Sequence, residues 1–341
     1  MSTSKESILP VKTSEILRCY QHTAALKGAI ELDLFTAIDE GNKTVLSLAD
    51  RCQAAQRGVR ILCDYLVILE LLTKQADRYQ LSPEAAIFLS RRSSRYMGSA
   101  SHFLTSSTLI SHFSDVAEVV RTGGPLEGTD GTMSPEHPVW VDFARGMAPV
   151  VVPTAVFIAD LLEASKGTPW KILDIAAGHG LFGITLAEQN PNAEVVALDW
   201  PKVLAVAQEN ARKAGLGERY QLLPGSAFEV AFGREYDLVL ITNFFHHFGQ
   251  DACVELMHKI HDSLSSGGRA VTLEFVPNED RVSPPHAASF SLTMLVTTPS
   301  GDAYTFRQYQ EMFQRAGFSK TQLHPVPGDP HQVLISHKGG K

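Results

Sequence analysis

Two adjacent histidines, His246 and His247, follow an apolar run in the stretch ITNFFHHFGQD. Imidazole has an unperturbed pKa near neutrality, so either ring could remove a proton from a substrate. A histidine pair after a strand could equally cap a short helix, and the local pattern does not separate these two interpretations. Further along the chain, Glu274 stands in the apolar run TLEFVP, where a carboxylate is costly to desolvate without a partner. This position favours a functional role for Glu274.

A glycine-rich loop offers a second site. In LDIAAGHGLFG, Gly178, Gly180 and Gly183 satisfy the spacing GxGxxG, and Asp199 ends the next apolar run about 20 residues on. This is the dinucleotide fingerprint, so NAD is one candidate ligand. Asp174, four residues before Gly178, instead lies where a carboxylate could meet an ammonium group. That carboxylate, the place of this unit behind a helical region, and a late hairpin favour a different cofactor.

The segments that must position these residues alternate between strand and helix after Trp170. Alternation over more than a hundred residues predicts an α/β fold with a doubly wound, Rossmann-like parallel sheet. Ligands of such sheets bind beyond the carboxyl ends of the strands. The predicted strands are KILDIAAG, AEVVALDW, RYQLLPG, YDLVLITN and GGRAVTLEFVP, and the late runs KTQLHPV and QVLISHK are predicted to pair as a hairpin at the sheet edge.

The N-terminal region, from about Thr13 to Met97, is mostly of helical spacing and ends in a short strand, turn and helix. Helix, turn, helix and a small ribbon form a winged-helix outline with two interpretations. In the first, Gln56 to Leu72 is the recognition helix of a DNA-binding regulator. The apolar stripe of this segment and its few basic residues favour the second, a dimerisation or lid domain.

Composition limits the functional classes. A formal charge of -7 and a pI near 6.0 argue against a nucleic-acid partner. Cys19, Cys52, Cys63 and Cys253 lack CxxC or metal spacing, which is typical of buried thiols in a reducing compartment. The N-terminus lacks the apolar segment of a signal peptide, and no run approaches about 18 uninterrupted apolar residues. We therefore predict a cytoplasmic protein with no membrane partner.

We divide the chain into three segments by these patterns. Residues 1–100 are predicted to form the winged-helix-like dimerisation domain, residues 101–165 a helical bridge that lines the substrate, and residues 166–341 the catalytic domain. Within the bridge, the Gly, Pro, Asp and Ser content of GGPLEGTDGTMSPEHP predicts a loop.

Over most of its length the chain resembles the class I S-adenosylmethionine-dependent small-molecule O-methyltransferases. The likeness is to the plant caffeate-type and bacterial polyketide enzymes, which carry an N-terminal winged-helix dimerisation domain. Their first motif, approximately DxGGGxG, is matched by Asp174-Ile-Ala-Ala-Gly178-His-Gly180, in which Ala176 and Ala177 replace two glycines. The resemblance implies S-adenosylmethionine as cofactor and a homodimer joined through the N-terminal domain.

The resemblance also implies a set of cofactor contacts. Asp174 would hold the methionine end, and Asp199 would accept both ribose hydroxyls. The family's acidic motif near adenine, similar to GDMF, falls on Gly225 to Phe228, where Ser226 departs from the acid and Phe228 supplies an apolar wall. The full implied cofactor set is Asp174, Gly178, Gly180, Asp199, Trp200, Ser226, Ala227, Phe228 and Asn243.

Methyl transfer is a direct displacement that needs alignment and the removal of one acceptor proton. In the related enzymes the base stands in a stretch similar to HDW or HHW, and matching this to HHF makes His246 the base. The family places an orienting glutamate 28 residues later, which here is Glu274. A second family glutamate, in a segment similar to PGGKERT, is replaced by Ala303 in PSGDAYT. The base would be held from one side only, unless Asp302 turns inward.

Apolar residues on the bridge and on a late helix are candidates for the acceptor site. The implied substrate contacts are Phe143, Met147, Phe290 and Met294, and together they suggest a flat hydroxylated aromatic molecule. No metal is predicted, because the sequence has neither HExxH nor a carboxylate cluster. Two alternatives remain open. One is a relative on the same fold that carries out a decarboxylation, hydroxylation or rearrangement, and the other is a ligand-sensing DNA-binding regulator.

Overall fold

A computed structural model of the chain describes residues 10–126 and 136–339. The chain divides into two units, Met1–Thr105 and Ser106–Lys341. Of the predicted bridge, residues 101–165, the part from 106 to 165 belongs to the second unit and residues 101–105 belong to the first. The loop predicted over GGPLEGTDGTMSPEHP falls largely on residues 127–135, which lie outside the described residues.

The first unit has helices followed by a small antiparallel ribbon. Its elements are α1 Val11–Ile16, α2 Cys19–Glu31, α3 Leu34–Asp39, α4 Val45–Arg51, α5 Gln56–Ile68, β1 Leu72–Gln75, β2 Arg78–Leu81, α6 Pro83–Phe88 and α7 Ala100–Leu104. Thr44 and Ser47 form a capping box that begins α4, and the Ser82 hydroxyl caps α6.

Helix α5, the candidate recognition helix, buries an apolar stripe rather than presenting a polar face. Val59, Cys63 and Leu66 lie in the core of the first unit. On other faces of this helix, Ile61 and Ile68 are exposed. Exposed apolar side chains on a packed helix suit association with another protein surface better than contact with base edges.

The second unit is built on a seven-stranded sheet of order β5-β4-β3-β6-β7-β9-β8 among the described residues. Strands β3 to β7 run parallel, and β9 runs antiparallel to both β7 and β8. The predicted parallel sheet and the late edge hairpin are both present. The strands are β3 Trp170–Ile175, β4 Ala193–Asp199, β5 Tyr220–Pro224, β6 Tyr236–Thr242, β7 Leu264–Phe275, β8 Phe318–Pro325 and β9 His331–Lys338.

Helices cover both faces of this sheet. Alternate strand residues pack with α10, α11 and α12 on one face and with α13 and α15 on the other, as expected of strands buried on both sides. The helices of this unit are α8 Ser107–Ser111, α9 Val116–Thr122, α10 Val139–Leu161, α11 Leu181–Gln189, α12 Pro201–Lys213, α13 Gln250–Ser263, α14 Pro285–Thr297 and α15 Phe306–Arg315.

Helix α10, with 23 residues, is the one described helix long and apolar enough to cross a membrane by length and composition alone. Core helices of other folds meet the same criterion, and α10 buries Ala155, Ile158 and Ala159 in the core beside the sheet. The cytoplasmic location and the absence of membrane and nucleic-acid partners stay predictions.

Gly183 provides a test of how tightly the first strand, loop and helix pack. A Cβ added here would lie 2.9 Å from Oδ2 of Asp174 and 2.9 Å from Cγ1 of Val195. We expect Gly183→Ala to lower the free energy of unfolding of the second unit by about 1–3 kcal/mol, because the core must shift to admit the methyl group. Urea unfolding followed by circular dichroism measures the change.

The matched control is Gly58→Ala, in α5, where an added Cβ meets nothing within 4 Å. Alanine has the higher helix propensity, so this variant should be unchanged or more stable by up to about 1 kcal/mol. A Gly183→Ala protein as stable as the parent would contradict the close packing described for α11.

Candidate active site

The candidate catalytic residues lie at the carboxyl ends of the central strands. The chain leaves β6 at Thr242, turns at Asn243, and forms a 3-10 helix, Phe245–His247. Asn243 has a left-handed φ of 55°, which asparagine tolerates better than most residues. Its N–H donates to the carbonyl of Leu273 on the neighbouring strand, at 2.8 Å. The turn therefore brings the segment from Asn243 to Gly249, called here the histidine loop, over the end of β7.

Glu274, near the end of β7, is fully buried and binds this loop through both carboxylate oxygens. Oε1 accepts the backbone N–H groups of Phe244 at 3.0 Å, Phe245 at 2.8 Å and His246 at 3.4 Å. Oε2 lies 2.5 Å from Nδ1 of His246. The contact that the family resemblance implies between His246 and Glu274 is thus present in the structure.

This arrangement fixes the tautomer of His246. The short contact joins Nδ1 to a carboxylate oxygen, so the ring donates its Nδ1 proton to Glu274 and keeps its lone pair on Nε2. The His246 ring is buried and stands edge-on to the Phe290 ring, with centroids 4.9 Å apart. The basic atom of a buried imidazole is therefore available beside an aromatic wall, which is what a general base requires.

His247 has a different environment and is a poor candidate for the base. Burial, with a smaller effect from the charge of His246, holds the pKa of His247 well below its usual range. Among the described residues its Nδ1 has no hydrogen-bond partner. Its ring packs edge-on against Trp140 of α10, with centroids 5.2 Å apart. A histidine that resists protonation cannot readily hold a proton taken from a substrate.

The loop between α14 and α15 packs against the histidine loop and is hydrogen-bonded to its backbone. The Asp302 N–H donates to the carbonyl of His246 at 3.0 Å, and the Gly249 N–H donates to the Ser300 hydroxyl at 3.1 Å. Tyr304 donates its hydroxyl to the carbonyl of Phe248 at 2.5 Å. These contacts hold the backbone of the histidine loop without touching the imidazole ring itself.

The position of the missing second glutamate is not filled by another acid. Ala303 is fully buried, and the Asp302 carboxylate pairs with Arg281 at 2.9 Å. Arg281 also donates to the carbonyl of Ala303 at 3.2 Å and to the side chain of Gln308 at 3.0 Å. Asp302 therefore does not turn toward His246, whose ring is held by Glu274 on one side.

The glycine loop after β3 meets the end of β4. Ala176, Gly178 and Gly180 have left-handed φ values of 54°, 58° and 76°, so the backbone takes a shape that glycine favours, even at Ala176. The Gly178 N–H donates to Oδ2 of Asp199 at 2.8 Å. Burial raises the pKa of Asp199 to about 6.

Asp174 is the best indication that this loop receives a cation. Its side chain is fully buried, Oδ2 accepts the Gly183 N–H at 3.2 Å, and Oδ1 has no partner among the described residues. Burial, and less strongly the charge of Asp199, raise the pKa of Asp174 to about 8. A buried carboxylate left half-satisfied fits an ammonium group. The residues present therefore fit the amino-acid end of S-adenosylmethionine.

Most of the other residues implied for the cofactor make hydrogen bonds close to the ends of β4 and β5. Trp200 donates its N–H to Asp199 Oδ1 at 2.7 Å and packs near Ala144 of α10. The Ser226 hydroxyl accepts the N–H of Phe228 at 3.3 Å and so stabilises a local turn. The Ala227 carbonyl accepts a hydrogen bond from Lys259 at 2.8 Å. The cofactor roles of these residues and of Asn243 stay predictions.

The implied acceptor residues are brought together only in part. The rings of Phe290 and His246 are in contact, and Met294 lies one helical turn further along α14, where it is buried. Phe143 stands over the glycine loop, because a Cβ built on Gly178 would lie 4.0 Å from its ring. Met147 is one turn further along α10 and is half-buried.

Several aromatic residues of the site were not predicted from sequence. Trp140 packs on His247, Phe248 lies between Phe228 and Phe244 at ring distances of 4.8 and 5.0 Å, and Phe275 stacks on Phe290 at 4.0 Å. Phe248 and Phe275 directly follow His247 and Glu274 in the chain, a signal that could have identified them. Within the described ranges, no group of three or more His, Cys, Asp or Glu residues could hold a metal ion.

Two protein-family models match the chain, one in each unit. An O-methyltransferase domain model matches residues 136–319, and an O-methyltransferase dimerisation domain model matches residues 14–91. Among known proteins, the chain is 26% identical to a tetracenomycin polyketide synthesis 8-O-methyltransferase of Streptomyces glaucescens, with 95% of each chain covered. It is 27% identical to 3-hydroxy-5-methyl-1-naphthoate 3-O-methyltransferase of Streptomyces sahachiroi, covering 88% of this chain and 87% of that one.

Solved structures give the same result. A protein of Nostoc punctiforme, provisionally described as an O-methyltransferase, is 48% identical with a TM-score of 0.94, covering 97% of this chain and 100% of that one. Human N-acetylserotonin methyltransferase, solved with S-adenosylmethionine, shares the fold at 21% identity, with a TM-score of 0.84 over 99% of this chain and 100% of that one.

Gly301 tests the packing of the loop between α14 and α15 against the histidine loop. A Cβ at this position would collide with the carbonyl oxygen of His246 and lie 2.9 Å from the carbonyl carbon of His247, both of which are backbone atoms. Gly301→Ala should therefore displace His246 and lower kcat by about tenfold to a hundredfold, since small misplacements of catalytic groups have large effects. Steady-state kinetics with the best acceptor of the wild-type protein measure the loss.

Two controls accompany this variant. Cofactor affinity should change little in Gly301→Ala, because the glycine loop and Asp174 make no contact with Gly301. Gly339→Ala, where an added Cβ meets only the Ser319 side chain at 3.5 Å, should behave as the wild type. Full activity in Gly301→Ala would mean that the histidine loop tolerates displacement.

Proposed function

Because the chain belongs to the S-adenosylmethionine-dependent O-methyltransferase family, we propose that it methylates a hydroxyl of an aromatic small molecule with His246 as general base. The family uses S-adenosylmethionine, and the match at residues 14–91 indicates a homodimer. That match also favours the dimerisation interpretation of the N-terminal helices over the DNA-binding one. The observation that carries the proposal is the 2.5 Å contact between Nδ1 of His246 and Oε2 of Glu274.

The proposed cofactor site uses Asp174, Gly178, Gly180 and Asp199. Asp174 would receive the ammonium group, since its Oδ1 is buried and has no partner among the described residues. The left-handed turns at Gly178 and Gly180 would let the backbone approach the cofactor closely. Asp199 would accept the ribose hydroxyls. When bound, S-adenosylmethionine supplies a methyl group already activated by its sulfonium.

In the proposed reaction, Nε2 of His246 takes the proton of the acceptor hydroxyl as that oxygen becomes nucleophilic. The imidazole becomes an imidazolium, and its positive charge lies 2.5 Å from the Glu274 carboxylate. Glu274 thus does two things. It keeps the Nδ1 proton in place so that Nε2 is the basic atom, and it stabilises the charge that forms during the transfer.

The nature of the acceptor is inferred from the surface beside His246. Phe290 and Phe275 form a stacked pair at this surface, with centroids 4.0 Å apart and an interplanar angle of 23°. Two of the relatives are named for reactions on a polyketide and on a hydroxylated naphthoate. A flat phenol of two or more rings would bury its apolar area here and present its hydroxyl to His246.

One observation favours the alternative of a relative that no longer methylates. Ala303 occupies the place of the second glutamate, and Asp302 is engaged by Arg281. A base held by one acid has less support against rotation than a base held by two. The contacts of Glu274 favour methyl transfer instead, because Oε1 and Oε2 together accept hydrogen bonds from four donors in one loop.

The test of the proposal is methyl transfer from radiolabelled S-adenosylmethionine to a panel of phenols and naphthols. We expect labelled product with the wild-type protein, and a fall in kcat of about 10² to 10⁴ in His246→Ala, because removal of a general base costs about this factor. Glu274→Gln should lose a similar factor, since a neutral amide cannot stabilise the imidazolium. Product formation at an unchanged rate in His246→Ala would assign the proton to another group.

The neighbouring His247 provides the control. Its pKa is held low by burial and its ring packs on Trp140, so His247→Asn should keep kcat within about tenfold of the wild type. A loss in His247→Asn as large as that in His246→Ala would reverse the assignment of the two histidines.

Asp174 makes cofactor binding depend on pH. Burial raises its pKa to about 8 in the free protein, whereas binding of an ammonium group requires the carboxylate. Below pH 8 the carboxyl must lose its proton when S-adenosylmethionine binds, so affinity should rise by up to about tenfold per pH unit as pH increases toward 8. Above about pH 8 the rise should stop because Asp174 is then already ionised, and affinity should fall as the cofactor amino group loses its proton.

Calorimetry at pH 7 in two buffers of different ionisation enthalpy measures this proton release. The wild-type protein should release close to one proton on binding, and Asp174→Asn should bind more weakly and release none. Asp199→Asn is the matched control, because it should lower affinity without removing the release assigned to Asp174. Identical binding enthalpies in both buffers would contradict the role given to Asp174.

A further inference from the structure

A second imidazole in this unit is held by a carboxylate and has no part in the proposed mechanism. Nδ1 of His331, at the start of β9, lies 2.5 Å from Oδ1 of Asp329. The same oxygen accepts the backbone N–H of His331 at 2.9 Å, and Oδ2 accepts the hydroxyl of the buried Thr154 on α10 at 2.6 Å. Asp329 is thus fixed by two elements and cannot rotate away from the ring.

His331 and Asp329 have the same arrangement as His246 and Glu274. In each, a carboxylate that accepts other donors receives the Nδ1 proton, and the lone pair of the imidazole is left on Nε2. The backbone N–H and Thr154 already secure the turn before β9, so the imidazole is not needed for that purpose.

His331 is linked to the candidate catalytic site through two aromatic rings. It is the register partner of Phe275 on β7, and the ring centroids of these residues are 4.0 Å apart. Phe275 stacks on Phe290, and Phe290 contacts His246 with centroids 4.9 Å apart. The Phe275–Phe290 pair therefore lies between two imidazoles that are each oriented by an acid.

The atom available for recognition is Nε2 of His331. The side chain is 19% exposed, and Nε2 has no hydrogen-bond partner in the part of the chain that the structure describes. Another histidine near Phe275, His286, lacks these features of His331. His286 of α14 lies 6.1 Å from the Phe275 ring, is exposed, and has no carboxylate partner among residues 10–126 and 136–339.

We propose that His331, positioned by Asp329 and Thr154, binds a second hydroxyl of the acceptor while the reacting hydroxyl lies at His246. This inference rests on the proposed function and names its substrate class, an aromatic molecule with two separated hydroxyl groups. The aromatic part packs on Phe275 and Phe290, and each hydroxyl donates to an Nε2 lone pair. His331 is thus a specificity-determining residue that sets which hydroxyl reaches His246.

The charge of the pair selects a hydroxyl rather than an anionic group. The Asp329 carboxylate gives the pair a net charge of zero or less, whichever protonation state the imidazole takes. A carboxylate on the acceptor would gain little from such a site and would meet the negative charge of Asp329. A neutral hydroxyl donor has neither penalty and satisfies the lone pair directly.

The experiment measures binding and turnover separately. The full-length protein, loaded with S-adenosylhomocysteine, is titrated by calorimetry with a naphthol and with a set of naphthalenediols that vary the separation of their hydroxyls. We expect at least one diol to bind about tenfold more tightly than the naphthol, and His331→Ala to remove this preference while binding the naphthol as the wild type does. Asp329→Asn should reduce the preference and His331→Gln should retain part of it.

His286→Gln is the matched control, since it removes a histidine near Phe275 that lacks an acid partner, and it should keep the preference of the wild type. The inference is overturned if no diol is preferred by the wild type, or if His331→Ala weakens naphthol and diol binding equally. Radiolabelled methyl transfer is measured in parallel. A diol preference that depends on His331, in a protein that transfers no methyl group, would support this site and reject the proposed reaction.

Discussion

The buried carboxylate of Glu274 is the interaction on which the rest of the site depends. An ionised acid in an apolar strand is stable only if nearly all of its hydrogen-bonding capacity is used, and here three backbone N–H groups and one imidazole use it. The shape of the histidine loop and the tautomer of His246 are therefore set by one side chain. Removing the charge would disturb the loop backbone and the ring together, so structure and chemistry cannot be separated at this residue.

Much of the fold could be predicted because buried parallel strands leave continuous apolar runs in the chain. The observed bounds of β3 to β7 agree with the predicted runs to within a few residues. The contact between His246 and Glu274 was implied by the family resemblance, and it forms because β6 and β7 are neighbours and both residues lie near the same edge of the sheet. In contrast, the direction of Asp302 depends on Arg281, which is 21 residues away in an irregular segment. Periodicity carries no information about such a pairing.

The position of the glycine loop after β3 was predicted from its motif, but the backbone conformation at Ala176 was not. Ala176 takes a left-handed φ of 54°, a conformation that costs an alanine roughly 1–2 kcal/mol, so neighbouring contacts must stabilise the turn. One such contact is the hydrogen bond that the Gly178 N–H donates to the Asp199 carboxylate, whose other oxygen accepts the N–H of Trp200. Asp199 is thus engaged by the loop backbone in the free protein. Family motifs do not reveal this engagement, because a motif lists residue types without their hydrogen-bond partners.

Helix α10 joins three parts of the molecule that are far apart in sequence. Near its start, Trp140 packs on His247 and Phe143 covers the glycine loop, while Thr154 binds Asp329 four turns further on. One residue inserted or deleted between Trp140 and Thr154 would rotate one end by about 100° relative to the other. Substitutions at other positions of this helix leave these contacts in place, whereas a change of its length between them does not, so we expect insertions in related chains to lie outside it.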